Sequence, residues 1–90
     1  MDFPTKLKAI RKAERLTQRE FCEVLDFSES TFRKYEAGII EVGAPALLKI
    51  ANHPQFKKYT LWLMTGDTAP EGGQISPISV SYTHLTLPTN

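Results

Sequence analysis

Two histidines, one cysteine and a scatter of carboxylates are the side chains through which this 90-residue chain could do covalent or acid–base chemistry. His53 stands before Pro54 in a helix-ending turn, and His84 lies in a tail of different composition. Cys22 adjoins apolar Phe21 with no evident base partner, which is the setting of a buried, inert thiol rather than a nucleophile. Glu20 and Glu23 read more simply as a solvated helix face than as an acid–base pair, and Trp62, Leu63 and Met64 as core rather than a ligand pocket. No Walker A loop, GxGxxG, HExxH or GxSxG motif occurs. The expectation is a protein that is not an enzyme and needs neither metal nor cofactor.

Binding chemistry is better represented. Glu29, Ser30, Arg33 and Lys34 fall on the side of a helix opposite Phe32 and Tyr35. The positive end of that helix's macrodipole would favour phosphates. Lys8, Arg11, Lys12 and Arg15 crowd the first helix, either to flank phosphates or to keep that helix solvated. The sequence leaves both readings open.

The elements that must position these residues follow from apolar spacing, which is helical throughout the first two thirds of the chain. Pro4 suits a first turn, and Leu7, Ile10 and Ala13 recur at helical spacing over residues 4–14. Thr17 and Glu20 form a capping box, so a second helix starts at Gln18 with Phe21, Val24 and Leu25 inward. Asp26-Phe27-Ser28 supplies a turn and a new N-cap at Ser28. The third helix buries Phe32 and Tyr35 and stops at Gly38, a left-handed terminator. Gly43 caps a fourth helix with Pro45 in its first turn and Leu47, Leu48, Ile50 and Ala51 as apolar positions. His53-Pro54 ends it, and a fifth helix runs from Phe56 to Thr65, closed by Gly66.

Composition sets the outer limits. The chain is one domain's worth, 41% hydrophobic and 23% charged, with eleven Lys+Arg against ten Asp+Glu for a net charge of +1. Such balance gives no strongly basic footprint. The charge is uneven, however: residues 1–19 are basic, while in 20–41 Arg33 and Lys34 face Glu20, Glu23, Asp26, Glu29, Glu36 and Glu41. One cysteine excludes an internal disulfide, and no apolar run approaches the about 18 residues of a membrane span. A soluble, cytoplasmic protein is the expectation.

Two short helices joined by a tight corner make a helix-turn-helix, whose second helix can enter the major groove of DNA. The segment LTQREFCEVLDFSESTFRKYEAG, residues 16–38, resembles the phage-repressor class of helix-turn-helix proteins. These are the lambda-repressor-like, Cro/C1-type regulators of the xenobiotic-response-element family. LLKIA at 47–51 and LWLMTG at 61–66 resemble the family's fourth and fifth helices.

The resemblance implies an all-α, compact five-helix bundle over residues 1–66 that binds double-stranded operator DNA as a homodimer and represses transcription. It implies that Gln18 touches a phosphate and braces the recognition helix, and that Ser28 to Lys34 form that helix's exposed face. Within this face Glu29, Ser30 and Lys34 match positions that read base edges, and Thr31 and Arg33 lie nearer phosphates. Leu61 and Met64 fall off the main apolar side of the fifth helix, which suits either a dimer contact or packing within the monomer.

Three positions depart from the family pattern. Asp26 stands where glycine is most common, and Cys22 where alanine is. Ile39-Ile40-Glu41 replaces a loop that is often basic and phosphate-binding. With Glu29 in the recognition segment, the expectation is weaker and more salt-sensitive binding than in a basic relative. The alternative class is a protein-interaction module, antitoxin-like, with weakened DNA binding.

From Gly66 the composition turns to Gly, Pro, Ser and Thr, which predicts a flexible linker over residues 67–79. Residues 80–90, VSYTHLTLPTN, resemble the translation of a transposon-derived sequencing adapter and are set aside from fold reasoning as a non-native tail.

Overall fold

A computed structural model describes residues 1–78, and the tail over residues 80–90 lies outside them. The described residues form an all-α fold: α1 (Phe3–Ala13), α2 (Gln18–Leu25), α3 (Glu29–Ala37), α4 (Ala44–Asn52) and α5 (Thr60–Thr65). Two short 3₁₀ turns, Lys57–Tyr59 and Pro70–Gly72, complete the regular structure.

Helix starts follow the local chemistry. The Asp2 carboxylate accepts from the Thr5 N–H at 3.1 Å, so α1 begins one residue earlier than Pro4 alone suggests. Thr17 and Glu20 form both halves of their capping box, at 3.1 and 2.9 Å. Asp26 closes α2 in the left-handed region at φ 58°, as the missing glycine requires of it. Gly38 closes α3 at φ 75°. Ser28 occupies the N-cap position of α3, yet its side chain makes no cap bond and instead lies 3.2 Å from the Ser30 hydroxyl.

The core gathers Leu7 and Ile10 of α1, Phe21, Cys22 and Leu25 of α2, Phe32 of α3, Ile50 of α4, and Phe56, Tyr59, Trp62 and Leu63. Phe21 sits at its centre, with ring centroids 4.9 Å from Phe32 and 5.0 Å from Phe56. Burying that much aromatic surface is the main favourable contribution to so small a fold.

Several expectations need correction. The helix expected from Phe56 to Thr65 is split: Lys57–Tyr59 is 3₁₀ and only Thr60–Thr65 is α-helical. Thr60 Oγ1 donates to the Lys57 carbonyl at 2.8 Å, and the tighter turn carries Tyr59 into the core, where its hydroxyl meets Glu14. Val24, expected inward, is exposed, and so is Leu48 among the apolar positions of α4. On α3 the inner face runs through Phe32 and Glu36, one turn apart, and Tyr35 is only half-buried.

The larger correction concerns the segment after Gly66. Gly66 does end α5, but the described residues of the expected linker fold back onto the domain. Ala69 and Gln74 exchange backbone hydrogen bonds of 2.8 and 3.0 Å around the Pro70–Gly72 turn. The Ile75 N–H then donates to the Lys58 carbonyl at 2.9 Å, and Ile75 packs against the core. The Gln74 side chain accepts from the Leu61 N–H at 3.0 Å and donates to the Lys57 carbonyl at 3.2 Å. Leu61 lies in the first turn of α5, where backbone N–H groups have no partner inside the helix. Composition alone carries no sign of that unmet donor. Ser76 and Pro77 are buried.

Candidate nucleic-acid interface

The α2–α3 corner presents one polar helix face outward. Ser30, Arg33, Lys34 and Ala37 are exposed at the i, i+3, i+4, i+7 spacing of a single stripe, and Ser28 is exposed at its head. Glu29 and Thr31 flank the stripe, each half-buried. Glu29 forms an ion pair with Arg33 one turn later on the same helix. Of the candidate residues, Ser28, Glu29, Ser30, Thr31, Arg33 and Lys34 are thus gathered on one helix and its cap.

Gln18 is placed differently. Its side-chain amide donates to Glu36 Oε1 at 2.9 Å, so it touches the inner side of α3 rather than the stripe. Glu36 is the hub of a buried polar cluster. Arg11 Nε meets Glu36 Oε2 at 2.8 Å and Arg11 Nη2 meets Oε1 at 3.3 Å, while Arg11 Nη1 donates to the Leu16 carbonyl at 3.0 Å. The two side chains are only 13% and 3% exposed. α1, the α1–α2 loop, α2 and α3 are therefore tied at one carboxylate. Such a pair is costly to bury and holds only because its remaining hydrogen-bonding groups are satisfied. Arg11 consequently takes neither role open to it in the sequence, phosphate contact or solvation; it faces inward.

Sequence reasoning missed Glu36, although its position one turn after Phe32 was the available signal. It also missed Lys49 of α4, whose ammonium donates to the Asp26 carbonyl at 2.8 Å and lies 5.1 Å above the Phe27 ring. This holds the turn between α2 and α3 from outside. Phe27 packs within it, 6.2 Å from Phe32 and edge-on to Tyr35 at 6.3 Å. Burial, with the nearby carboxylates of Glu29 and Glu36, pushes the Cys22 thiol up, so it stays protonated under the corner.

At the far end of α1, Glu14 accepts from the Tyr59 hydroxyl at 2.6 Å and the Gln55 amide at 3.1 Å, and pairs with Lys58 at 3.1 Å. Burial raises the Glu14 carboxyl, but these hydrogen bonds outweigh it and the net shift is downward. Ile39-Ile40-Glu41, which stands where the family often has a basic, phosphate-binding loop, is exposed and carries no cation, with Ile39 at 70%.

Residues 3–56, from the start of α1 to just beyond α4, match the helix-turn-helix domain family, and the chain belongs to it. It is also similar to Repressor protein C of Escherichia phage P2, with 38% identity over 72 residues. That alignment covers 80% of this chain and 73% of the phage protein.

Proposed function

We propose that this chain is a DNA-binding transcriptional repressor that occupies a two-fold operator as a homodimer, each α3 lying in a major groove. The observation that carries the reading is the outward stripe of Ser30, Arg33, Lys34 and Ala37 on a helix whose inner side is fixed by the Arg11–Glu36–Gln18 cluster. A helix can read base edges only if its angle to the rest of the domain is held, and that cluster holds it. The likeness to a phage repressor supports the same conclusion.

In this arrangement Ser30 and Lys34 reach base edges, and Ser28 and Thr31 lie by the phosphates. Gln18, the first residue of α2, braces α3 through Glu36, and the N-terminal turn it opens lies by a phosphate. Repression is by occlusion, which needs affinity but no catalysis. Met64, 52% exposed at the end of α5, offers apolar surface to a second copy. Leu61 is half-covered, and its backbone is held by Gln74.

A second reading, a protein-interaction module, is favoured by one feature. Ile39, Ile40 and Glu41 line an open groove of about 430 Å³ with Asp2, Phe3, Pro4 and Val42, where a basic loop would favour DNA. Gel retardation with random duplex fragments at low and moderate salt separates the two. The repressor reading predicts retarded complexes whose affinity falls linearly with salt on a log–log scale. No complex at the lowest salt would leave the interaction module as the account of this fold.

A further inference from the structure

The Glu29–Arg33 pair sits where a phosphate-binding surface has least use for a carboxylate. Glu29 is the first residue of α3, and Arg33 follows one turn later with its Nη2 on Glu29 Oε2. An exposed pair at this spacing and an acid in a helix's first turn each add at most about 1 kcal/mol, so stability is only a modest reason to place an acid on this face. Unpaired, the Glu29 carboxylate would repel the backbone of any nucleic acid that α3 approached.

Pairing changes what Arg33 can do. Long side chains on a helix lean toward its N-terminus, and the ion pair draws the Arg33 guanidinium back over the first turn of α3. That first turn is the part of a recognition helix that meets base edges. One of the five guanidinium N–H groups is spent on Glu29, and the rest stay in a rigid fork. A fork matches the O6 and N7 acceptors of guanine, whereas a phosphate accepts a cation from almost any direction. The side chains of Glu29 and Arg33 are 39% and 61% exposed, so the pair is partly sheltered while the guanidinium stays accessible.

We infer that Glu29 is a positioning residue that aims Arg33 at a guanine base edge, so that the pair sets sequence preference at one base pair of each half-site. The inference rests on the DNA-binding reading above and assigns to Arg33 a base contact where the family resemblance implies a phosphate contact.

The test selects duplexes from a randomised library with the full chain, then compares affinities for selected duplexes differing at single base pairs. The intact protein should prefer guanine at one position per half-site. Arg33→Ala, Arg33→Lys and Glu29→Gln should each reduce that preference, at that same base pair, by about 10-fold or more. The double variant Glu29→Gln/Arg33→Ala should discriminate no worse than Arg33→Ala alone, because Glu29 acts through Arg33. Thermal unfolding followed by circular dichroism checks that each variant is folded.

Two results would overturn the inference while leaving DNA binding intact. One is Glu29→Gln tightening binding to every duplex with preference unchanged. The other is Arg33→Ala weakening all duplexes alike, as loss of a phosphate contact does. Failure of the intact protein to bind any duplex would instead remove the repressor reading and this inference with it.

Discussion

Arg11 and Glu36, 25 residues apart in sequence, form a nearly dry ion pair at 2.8 Å that locks α1 against α3. Gln18 donates a third hydrogen bond to the same carboxylate. Removing one member should leave the other charge buried without its partner. Glu36→Ala or Arg11→Ala should therefore each lose about 3–5 kcal/mol, while the paired change Arg11→Met/Glu36→Leu should lose less than either single change. Urea unfolding of the three variants checks the order.

Phe32 is fully buried between Phe21 and Phe27, and it alone of the α3 aromatics reaches the core centre. Phe32→Ala should cost about 3–5 kcal/mol, a large part of the stability of so small a domain. Cys22→Ala should be mild by comparison, since Cys22 serves as a small apolar group. Thermal melts compare the two. Unfolding by Cys22→Ala as severe as by Phe32→Ala would contradict this division of the core.

Residues 67–78 should contribute to stability. A chain ending at Gly66 loses the Ile75 packing and both Gln74 contacts, and it should melt clearly below the full chain. Gln74→Ala alone should cost about 0.5–1.5 kcal/mol, because the Leu61 N–H loses its acceptor. Equal melting temperatures for the shortened and full chains would show that the returning segment contributes nothing.

What the sequence made legible was local. Thr17 and Glu20 are three residues apart and cap one helix, Asp26 and Gly38 carry their left-handed turns in their own residue types, and Phe32 stands opposite the polar residues of its own helix. The outward stripe of α3 followed from the same arithmetic. The unread parts depend on partners distant along the chain. Glu36 looks like a surface acid until Arg11 is brought to it, and Lys49 looks solvated until the Asp26 carbonyl is placed beneath it. The stretch after Gly66 has a linker's composition, yet Leu61 supplies the unmet N–H that gives Gln74 a reason to return. Tyr59 likewise breaks the expected fifth helix because Glu14, the residue that closes α1, holds its hydroxyl.

The Glu14–Tyr59 contact predicts pH dependence on both sides of neutrality. Burial opposes the Glu14 charge, but hydrogen bonds from Tyr59, Gln55 and Lys58 leave its carboxyl below the ordinary range. A lowered carboxyl stabilises the fold fully above the ordinary glutamate value and loses that contribution as pH falls through the folded value. Glu14→Gln should flatten the acid limb of the stability curve, leaving the contribution of Asp2 and Glu20, whose carboxyls are also lowered by their capping hydrogen bonds.

The Tyr59 phenol is pushed up by burial and by Glu14. Its contribution should be complete below the ordinary phenol value of about 10 and decline above it. Tyr59→Phe should remove that alkaline limb and cost about 1–3 kcal/mol near neutrality. Denaturant midpoints measured across pH for the two variants check both signs.

The exposed face of α3 is the surface proposed to meet DNA. Titrating a selected duplex into isotopically labelled protein and following backbone amide resonances tests it residue by residue. The largest shifts are expected on Ser28 to Lys34 and at Gln18. Lys34→Ala should weaken binding while leaving the unbound spectrum otherwise unchanged. Shifts confined to Ile39–Val42 or to α5, with Ser28 to Lys34 unmoved, would contradict a DNA-binding role for this face.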